Sequence, residues 1–176
     1  MSEIKITKEE LLARLSEIKM IVMDVDGTLT DGQITIDDNG IETKSFNVKD
    51  GMGIKMLREA GFKIAIISAR YSKAVEIRAK ELKVVGLFQN ATNKIEALHE
   101  LLAEHHISSS NVIYIGDDNN DILIARTAGI SFAVNDASDA LKQNVDIVLK
   151  SQGGRGAIRE AAELILNLLE MRKQDG

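Results

Sequence analysis

The stretch that most constrains the fold of this chain is Met20 to Asp31, which reads M-I-V-M-D-V-D-G-T-L-T-D. Its apolar start with β-branched content predicts a strand buried in the middle of a parallel sheet. Asp24 and Asp26 come where this strand should end, and side chains two positions apart on an extended chain point to the same side. Two carboxylates that face one small volume repel each other, so the pattern favours a bound cation or a retained proton.

The turn that follows these acids also suits a ligand. Gly27 lets the backbone turn sharply and come close to a bound group, and Thr28 offers a hydroxyl and an amide beside it. A strand ending in an ordinary acidic turn is the better explanation of an isolated D-x-D, because short motifs often match by chance. The longer run D-V-D-G-T-L-T is far more specific.

Length and composition indicate one globular domain over residues 1–176, with 44% hydrophobic and 28% charged residues. The net charge of -5 argues against a nucleic-acid or anionic-membrane partner, since both need a basic footprint. The chain has no cysteine, no apolar run of transmembrane length and no secretory character in its start M-S-E-I-K. We therefore expect a soluble cytoplasmic protein without disulfides.

The remaining chain alternates predicted helices and strands around one inserted hairpin. Residues 33–46 predict the hairpin, because Ile34 and Ile36 alternate with polar residues before the turn Asp38-Asn39-Gly40. The predicted strands are 20–23, 63–67, 84–88, 112–115, 130–134 and 147–149, and the predicted helices are 7–18, 51–60, 72–82, 93–105, 119–128 and one from 157. This pattern predicts an α/β fold, a doubly wound Rossmann-like parallel sheet with a β-hairpin after the first strand and no cap domain. Residues 151–176 are expected to form a C-terminal tail.

Two more predicted strands end in residues that suit chemistry. Ser68 follows the strand 63–67, and Asp117, Asp118 and Asp121 follow the strand 112–115. Ser68 alone is more often a turn residue, and the acids could cap the next helix. However, a cap needs one acid, whereas this turn has three and should lie opposite the first acidic pair. Hard oxygen ligands from two strand ends predict a Mg²⁺ site.

Lys94 is the remaining candidate. It lies in the first turn of a predicted helix, where the helix dipole disfavours a cation. A solvated surface lysine and a functional lysine are about equally good interpretations of this placement.

Taken in order, these four pieces resemble the four motifs of the haloacid dehalogenase superfamily of aspartate-nucleophile phosphatases, and the resemblance covers nearly the whole chain. It implies that the catalytic residues are Asp24 as nucleophile, Asp26 as general acid and base, and Ser68 and Lys94 as phosphoryl-binding groups. It implies that Mg²⁺ is held by Asp24, the backbone carbonyl of Asp26 and Asp117. Asp121 would then hold either the waters of the metal or Lys94, and the role of Asp118 stays open.

A closer resemblance narrows the substrate. The runs D-G-T-L-T-D-G, F-N-V-K-D-G-M-G-I-K and S-Q-G-G-R-G-A-I-R-E are similar to those of the small capless 3-deoxy-manno-octulosonate 8-phosphate phosphatases and of their relatives for nine-carbon keto-sugar acid phosphates. The implied partner is a phosphorylated sugar acid, and the candidate substrate-binding residues are Thr28, Lys49, Ser68, Arg70, Arg78 and Arg155. Ile122-Leu123 follow Asp121 where many relatives have a proline, which leaves the subfamily open.

The same resemblance implies a homotetramer in which neighbouring subunits cover each site. The hairpin and the glycine-rich segment 151–156, with Arg155 at its tip, could supply that cover, although a plain loop is an equally good interpretation of the segment. Two rival classes are a phosphorylatable receiver domain and a catalytically silent assembly protein. The single unit D-x-D-G-T argues against the first, and retention of all the acids and Lys94 argues against the second.

Overall fold

Strand β2 (Met20–Met23) lies inside a seven-stranded sheet, between two parallel neighbours, in a computed structural model that describes residues 2–175. The other strands of this sheet are β1 (Glu3–Ile4), β5 (Lys63–Ile67), β6 (Gly86–Phe88), β7 (Val112–Gly116), β8 (Ile130–Ala133) and β9 (Ile147–Val148). Their order is β1-β9-β8-β7-β2-β5-β6, and every pair is parallel except β1 with β9. All four residues of β2 are completely buried, as its apolar run predicts.

The strand order reverses at β2. From β2 the chain moves outward through β5 and β6, and it then crosses back to β7 and moves outward through β8 and β9 on the other side. Since parallel crossovers are right-handed, this reversal places the connecting helices on both faces of the sheet. It also opens a crevice beyond the carboxyl ends of β2 and its two neighbours, where such folds bind ligands.

The helices pack in two groups. Their bounds are α1 (Lys8–Leu15), α2 (Val48–Glu59), α3 (Lys73–Leu82), α4 (Lys94–His105), α5 (Ile122–Thr127), α6 (Asp139–Lys142) and α7 (Ala157–Asp175). Helix α7 packs against α2 and α1, whereas α4 packs against α5. Among residues 2–175, none of these helices is both long and apolar enough to span a membrane.

The inserted hairpin consists of β3 (Thr35–Ile36) and β4 (Glu42–Thr43), which pair antiparallel. The Asp37 carboxylate accepts hydrogen bonds from the amides of Asn39 and Ile41 and so closes the turn. This two-stranded sheet is separate from the main sheet. Its position after β2 confirms the predicted insertion.

The predicted fold is confirmed, with three corrections in detail. β1 was not predicted, so the hairpin follows the first parallel strand and not the first strand of the chain. α6 was missed, because four residues are too few to give a helical periodicity. The predicted helix 119–128 begins as a 3₁₀ turn, Asn119–Asp121, and only then continues as α5.

Candidate active site

Asp24 continues the ladder of β2 by one residue, and this places its carboxylate at the reversal point of the sheet. Its amide donates a hydrogen bond to the carbonyl of Ile115 on β7, at 3.0 Å. Because the strands are parallel and in register, the residues just after β2, β5 and β7 meet at one edge. This register brings Asp24, Ser68 and Asp117 together at the edge where the sequence predicted them.

Lys94 is buried beside Asp24. Its ammonium lies 2.9 Å from Oδ2 of Asp24 and 2.6 Å from Oδ1 of Asp121, and its side chain is only 3% exposed. Burial alone would lower the pKa of Lys94, but the charges of Asp24 and Asp121 outweigh it and hold the pKa above its ordinary value. Lys94 is therefore a charged group of the site and not a solvated surface residue.

The Asp121 carboxylate accepts hydrogen bonds from four groups around Lys94 and the turn after β7. One oxygen, Oδ2, accepts hydrogen bonds from the amides of Asp117 and Asp118, at 2.9 and 3.2 Å. The other, Oδ1, accepts from Lys94 and from the hydroxyl of Tyr114, both at 2.6 Å. Since protein donors engage both oxygens, Asp121 positions Lys94 and the turn after β7. Nothing in the sequence pointed to Tyr114, which is an inward residue of a uniformly buried strand.

Gly27 is required by the approach of Asp117. Its φ is +88°, and a Cβ at this position would lie 2.0 Å from Oδ2 of Asp117. The Thr28 hydroxyl, also buried, donates a hydrogen bond to Oδ1 of the same carboxylate at 3.3 Å. The turn after β2 therefore holds the Asp117 carboxylate close to Asp24.

Ionising Asp24 and Asp117 at the same time is unfavourable, because both carboxyl groups are largely buried and lie close together. Burial raises the pKa of Asp24 to about 6, with Lys94 opposing and Asp121 adding to the shift. Burial, and then the charges of Asp24 and Asp121, raises the pKa of Asp117 to about 8. Oxygens of Asp24, Asp117 and Asp121 all lie within 4.8 Å of one another. A divalent cation bound by Asp24 and Asp117 would relieve this repulsion, and hard carboxylate oxygens suit Mg²⁺.

A cavity of about 160 Å³ opens in front of these acids. Its lining residues are Asp24, Asp26, Ser68, Ala69, Arg70, Asp117, Asp118 and Asn120. Ser68 is only 2% exposed, and its hydroxyl oxygen accepts a hydrogen bond from the amide of Arg70 at 3.3 Å. The volume and the polar lining suit a small phosphorylated group.

Two residues of the hairpin segment that sequence reasoning missed, Glu42 and Lys44, contact residues that line this cavity. The Lys44 ammonium is paired with Oδ1 of Asp26 and lies 3.0 Å from Oε1 of Glu42. Arg70 completes a ring, with its guanidinium 2.6 Å from Glu42 and 3.8 Å from Asp26. Two anions and two cations thus link the hairpin to the site. The available signal was the spacing of Glu42, in β4, and Lys44, just after it, because side chains two positions apart on an extended chain share one face.

Three predicted substrate-binding cations lie elsewhere in the single chain. Lys49 is exposed in the first turn of α2. Arg78 lines a separate cavity of about 470 Å³ between α2 and α3, where its guanidinium stacks 5.8 Å from the Phe46 ring centre. Arg155 is paired with Asp31 of its own chain at 3.1 Å. Of these four cations, only Arg70 lines the cavity in front of Asp24 and Asp117.

The segment 151–156 is anchored to its own chain by hydrogen bonds. The Gly154 amide donates to the carbonyl of Thr28, and the Gly153 amide donates to Asp136, both at 2.9 Å. The buried Asp50 accepts hydrogen bonds from the amides of Gly156 and Arg159. The segment therefore supports the turn after β2, and the tail beyond it is helix α7.

An aspartate at the end of a central parallel strand, a buried lysine, a serine and a second acidic strand end define a phosphoryl-transfer site. Comparisons with known proteins agree with this class. The sequence profile of the haloacid dehalogenase-like hydrolases matches residues 83–160. The 3-deoxy-D-manno-octulosonate 8-phosphate phosphatase of Escherichia coli K12 is 40% identical over 157 residues, which are 89% of this chain and 84% of that protein.

Solved structures show the same similarity. The Moraxella catarrhalis 3-deoxy-D-manno-octulosonate 8-phosphate phosphatase, crystallised with magnesium, phosphate and 3-deoxy-D-manno-octulosonate (KDO), superimposes with a TM-score of 0.88 at 39% identity, covering 91% of this chain and 92% of that one. The cobalt-bound Haemophilus influenzae phosphatase gives a TM-score of 0.85 at 41% identity, covering 88% and 91%. This chain belongs to the 3-deoxy-D-manno-octulosonate 8-phosphate phosphatase family of haloacid dehalogenase-like hydrolases.

Proposed function

We propose that this protein is a Mg²⁺-dependent phosphomonoesterase that hydrolyses 3-deoxy-D-manno-octulosonate 8-phosphate through an aspartyl-phosphate. The observation that carries the proposal is the placement of Lys94 between Asp24 and Asp121, two acids with oxygens within 4.8 Å of an oxygen of Asp117. This constellation provides a nucleophile, a phosphate-neutralising cation and a metal site in one buried corner. The names of the relatives supply the substrate.

The metal site of the proposal consists of Asp24, Asp117 and the backbone carbonyl of Asp26. The raised pKa of Asp117, about 8, fits this assignment, because burial and then the charges of Asp24 and Asp121 disfavour its ionised form, and a bound cation would offset these effects. When bound, Mg²⁺ would supply positive charge that stabilises the transferring phosphoryl group. Asp121 stays outside the ligand set, since Lys94, Tyr114 and two amides already occupy its oxygens.

In the first half of the reaction, the Asp24 carboxylate attacks phosphorus in line with the leaving oxygen. Lys94 orients this carboxylate through the 2.9 Å contact and neutralises part of the charge on the phosphate. The Ser68 hydroxyl, at the end of β5, donates to a phosphoryl oxygen. As the P–O bond breaks, Asp26 gives a proton to the departing alkoxide.

In the second half, Asp26 acts in the opposite direction. It takes a proton from the water that attacks the aspartyl-phosphate, and phosphate and free Asp24 result. Asp26 lines the cavity and is more exposed than Asp24, which suits a group that must meet both a sugar oxygen and water.

The sugar acid is the second element of the proposal. Arg70 is the cation of the cavity that can meet the carboxylate of a keto-sugar acid, and Thr28 supports Asp117 and the turn beneath it. Lys49, Arg78 and Arg155 remain substrate candidates only if a neighbouring subunit brings them to the site. The alternative substrate is a nine-carbon keto-acid 9-phosphate, whose carboxylate would meet the same group.

A kcat/KM comparison tests this proposal. The substrates are 3-deoxy-D-manno-octulosonate 8-phosphate, a nine-carbon keto-acid 9-phosphate and a simple sugar phosphate, each with and without Mg²⁺. We expect the eight-carbon substrate to be hydrolysed fastest and only with the metal. A preference for the nine-carbon substrate would overturn the substrate assignment, and no turnover of any substrate would favour a receiver-like or assembly protein.

We also propose that the protein acts in the cytoplasm as a homotetramer, as one domain over residues 1–176. The hairpin supports assembly, because Ile34, Ile36 and Ile41 are 51%, 61% and 59% exposed on an element too small to be stable alone. Light scattering at assay concentration should give the mass of four chains, and Ile36→Glu should give smaller, less active species. A fully active wild-type monomer would contradict this assembly.

A further inference from the structure

Four charged side chains form a ring between the hairpin and the cavity: Asp26, Lys44, Glu42 and Arg70. Lys44 follows directly after β4. Its side chain is only 1% exposed, although the rest of the hairpin is largely open to solvent. Long charged side chains are almost never this buried unless they are paired. Lys44 is paired twice, with Asp26 and with Glu42.

The ammonium group of Lys44 makes both contacts: it is paired with Oδ1 of Asp26 and lies 3.0 Å from Oε1 of Glu42. Glu42 is in turn held by Arg70 at 2.6 Å. The ammonium is therefore fixed from one side by the hairpin and presents its other side to Asp26.

The Asp26 side chain is less tightly held by its surroundings than that of Asp24. Its side chain is 21% exposed, compared with 8% for Asp24, and its second oxygen lies 3.8 Å from the Arg70 guanidinium. Proton transfer requires the donor oxygen to lie within hydrogen-bond reach of the leaving oxygen, and a misplacement of about 1 Å can cost about 100-fold in rate. Whatever orients the Asp26 carboxyl group therefore controls the protonation step.

We propose that Lys44 is a positioning residue that holds the Asp26 side chain toward the leaving group, with Glu42 anchoring Lys44 from the hairpin. This inference rests on the proposed phosphatase function. The step it serves forms a bond between Asp24 and phosphorus, breaks the bond between phosphorus and the leaving oxygen, and moves one proton from Asp26 to that oxygen. Lys44 itself neither contacts the reacting atoms nor changes its protonation.

The dependence of the rate on the leaving group isolates this role. A sugar alkoxide is a poor leaving group and needs the proton, whereas p-nitrophenolate leaves without one. The ratio kcat/KM reports steps up to formation of the aspartyl-phosphate, so it excludes the later hydrolysis, in which Asp26 serves every substrate alike. We expect Lys44→Met to lower kcat/KM roughly 10- to 100-fold for the octulosonate 8-phosphate. For p-nitrophenyl phosphate the expected loss is less than about threefold, because general-acid help contributes little there.

The controls separate positioning from structure. Lys44→Arg keeps a cation at the end of the side chain and should restore most of the lost rate on the sugar phosphate. Lys73→Met removes an exposed lysine that pairs with Glu76 on α3, and should change neither rate. If Lys44→Met does not fold, Glu42→Gln replaces it, since it removes the anchor of Lys44 and should give a smaller loss with the same substrate preference.

Equal losses on both substrates, or no loss on either, would overturn the proposal. A gain on the sugar phosphate would also overturn it, because it would show that the ammonium only holds Asp26 in its unprotonated form. A wild-type protein that hydrolyses neither substrate would instead refute the phosphatase function, so the two failures are distinguishable.

Discussion

The ammonium group of Lys94 lies 2.9 Å from Oδ2 of Asp24, and both side chains are almost completely buried. The same ammonium lies 2.6 Å from Asp121, so one cation is surrounded by two buried carboxylates. With Asp117 nearby, this corner carries more negative than positive charge. Such an excess fits a site that binds a divalent cation together with a phosphate ester.

Removing Lys94 should therefore affect both stability and rate. Lys94→Met leaves Asp24 and Asp121 buried without their common cation, which should lower the free energy of unfolding by about 3–5 kcal/mol. The same change should lower kcat/KM by roughly 100- to 1,000-fold, the usual cost of removing one stabilising group from a transition state. Urea unfolding and steady-state kinetics measure the two effects, with the exposed Lys73→Met as control. Unchanged stability would show that Lys94 is not buried as described.

Gly27→Ala should disrupt the metal site through one added methyl group. The new Cβ would lie 2.0 Å from Oδ2 of Asp117 and must displace that carboxylate. Gly61 provides a matched control, because its φ is +99° and no atom lies within 4 Å of a Cβ built there. Both variants should lose about 1–2 kcal/mol from left-handed backbone strain, measured by urea unfolding. Only Gly27→Ala should bind Mg²⁺ more weakly in a titration, and equal Mg²⁺ affinities would contradict this account.

The metal-free protein should become less stable as the pH rises from about 4 to about 8. The folded-state pKa values of Asp24 and Asp117, about 6 and about 8, lie above the ordinary value of 3.8. In this window the folded state holds more protons than the unfolded state, so each rise in pH favours unfolding. Urea unfolding in chelator across this range measures the effect. Asp117→Asn should flatten the decline, and an unchanged slope in that variant would contradict the assignment.

Mg²⁺ should reverse this decline, since it binds the folded state and replaces the missing protons. The stabilisation by a fixed concentration of Mg²⁺ should accordingly be larger at pH 8 than at pH 5. The same experiment measures this stabilisation, as the difference between the free energies of unfolding with Mg²⁺ and with chelator at each pH.

Arg70→Ala tests recognition of the sugar acid. A charge-assisted contact contributes about 1.5–3 kcal/mol, which corresponds to a rise in KM of roughly 10- to 100-fold. We expect this rise for the octulosonate 8-phosphate and little change for a small phosphoester without a carboxylate. Arg126→Ala, which removes a guanidinium that contacts Asn144, serves as control. Equal losses on both substrates would assign Arg70 to the phosphate or to the hairpin contact with Glu42.

Local patterns in the sequence predicted most of the fold and the centre of the site. The apolar run of β2 followed by Asp24 and Asp26 is a pattern within one short segment, so it can be recognised from the sequence. The parallel register then brings the ends of β5 and β7 beside the end of β2. The unfavourable place of Lys94 at a helix start was also a local signal, and its burial between two acids resolves the two interpretations.

The parts that escaped prediction depend on contacts between distant segments. Asp50 caps the amides of Gly156 and Arg159, which lie more than 100 positions later in the chain. Lys44 reaches Asp26 only because the hairpin folds back over the site. No periodicity of a single segment encodes such contacts, so sequence reasoning could name the strand ends that meet at the cavity but not the side chains that hold them in place.

The central claim is that Asp24 is the nucleophile of a Mg²⁺-dependent phosphatase. The most direct measurement is phosphate release from 3-deoxy-D-manno-octulosonate 8-phosphate by the wild type and by Asp24→Asn, each with Mg²⁺ and with excess chelator. The account predicts turnover only for the wild type with Mg²⁺, and a folded but inactive Asp24→Asn. Full activity of Asp24→Asn, or of the wild type in chelator, would contradict it.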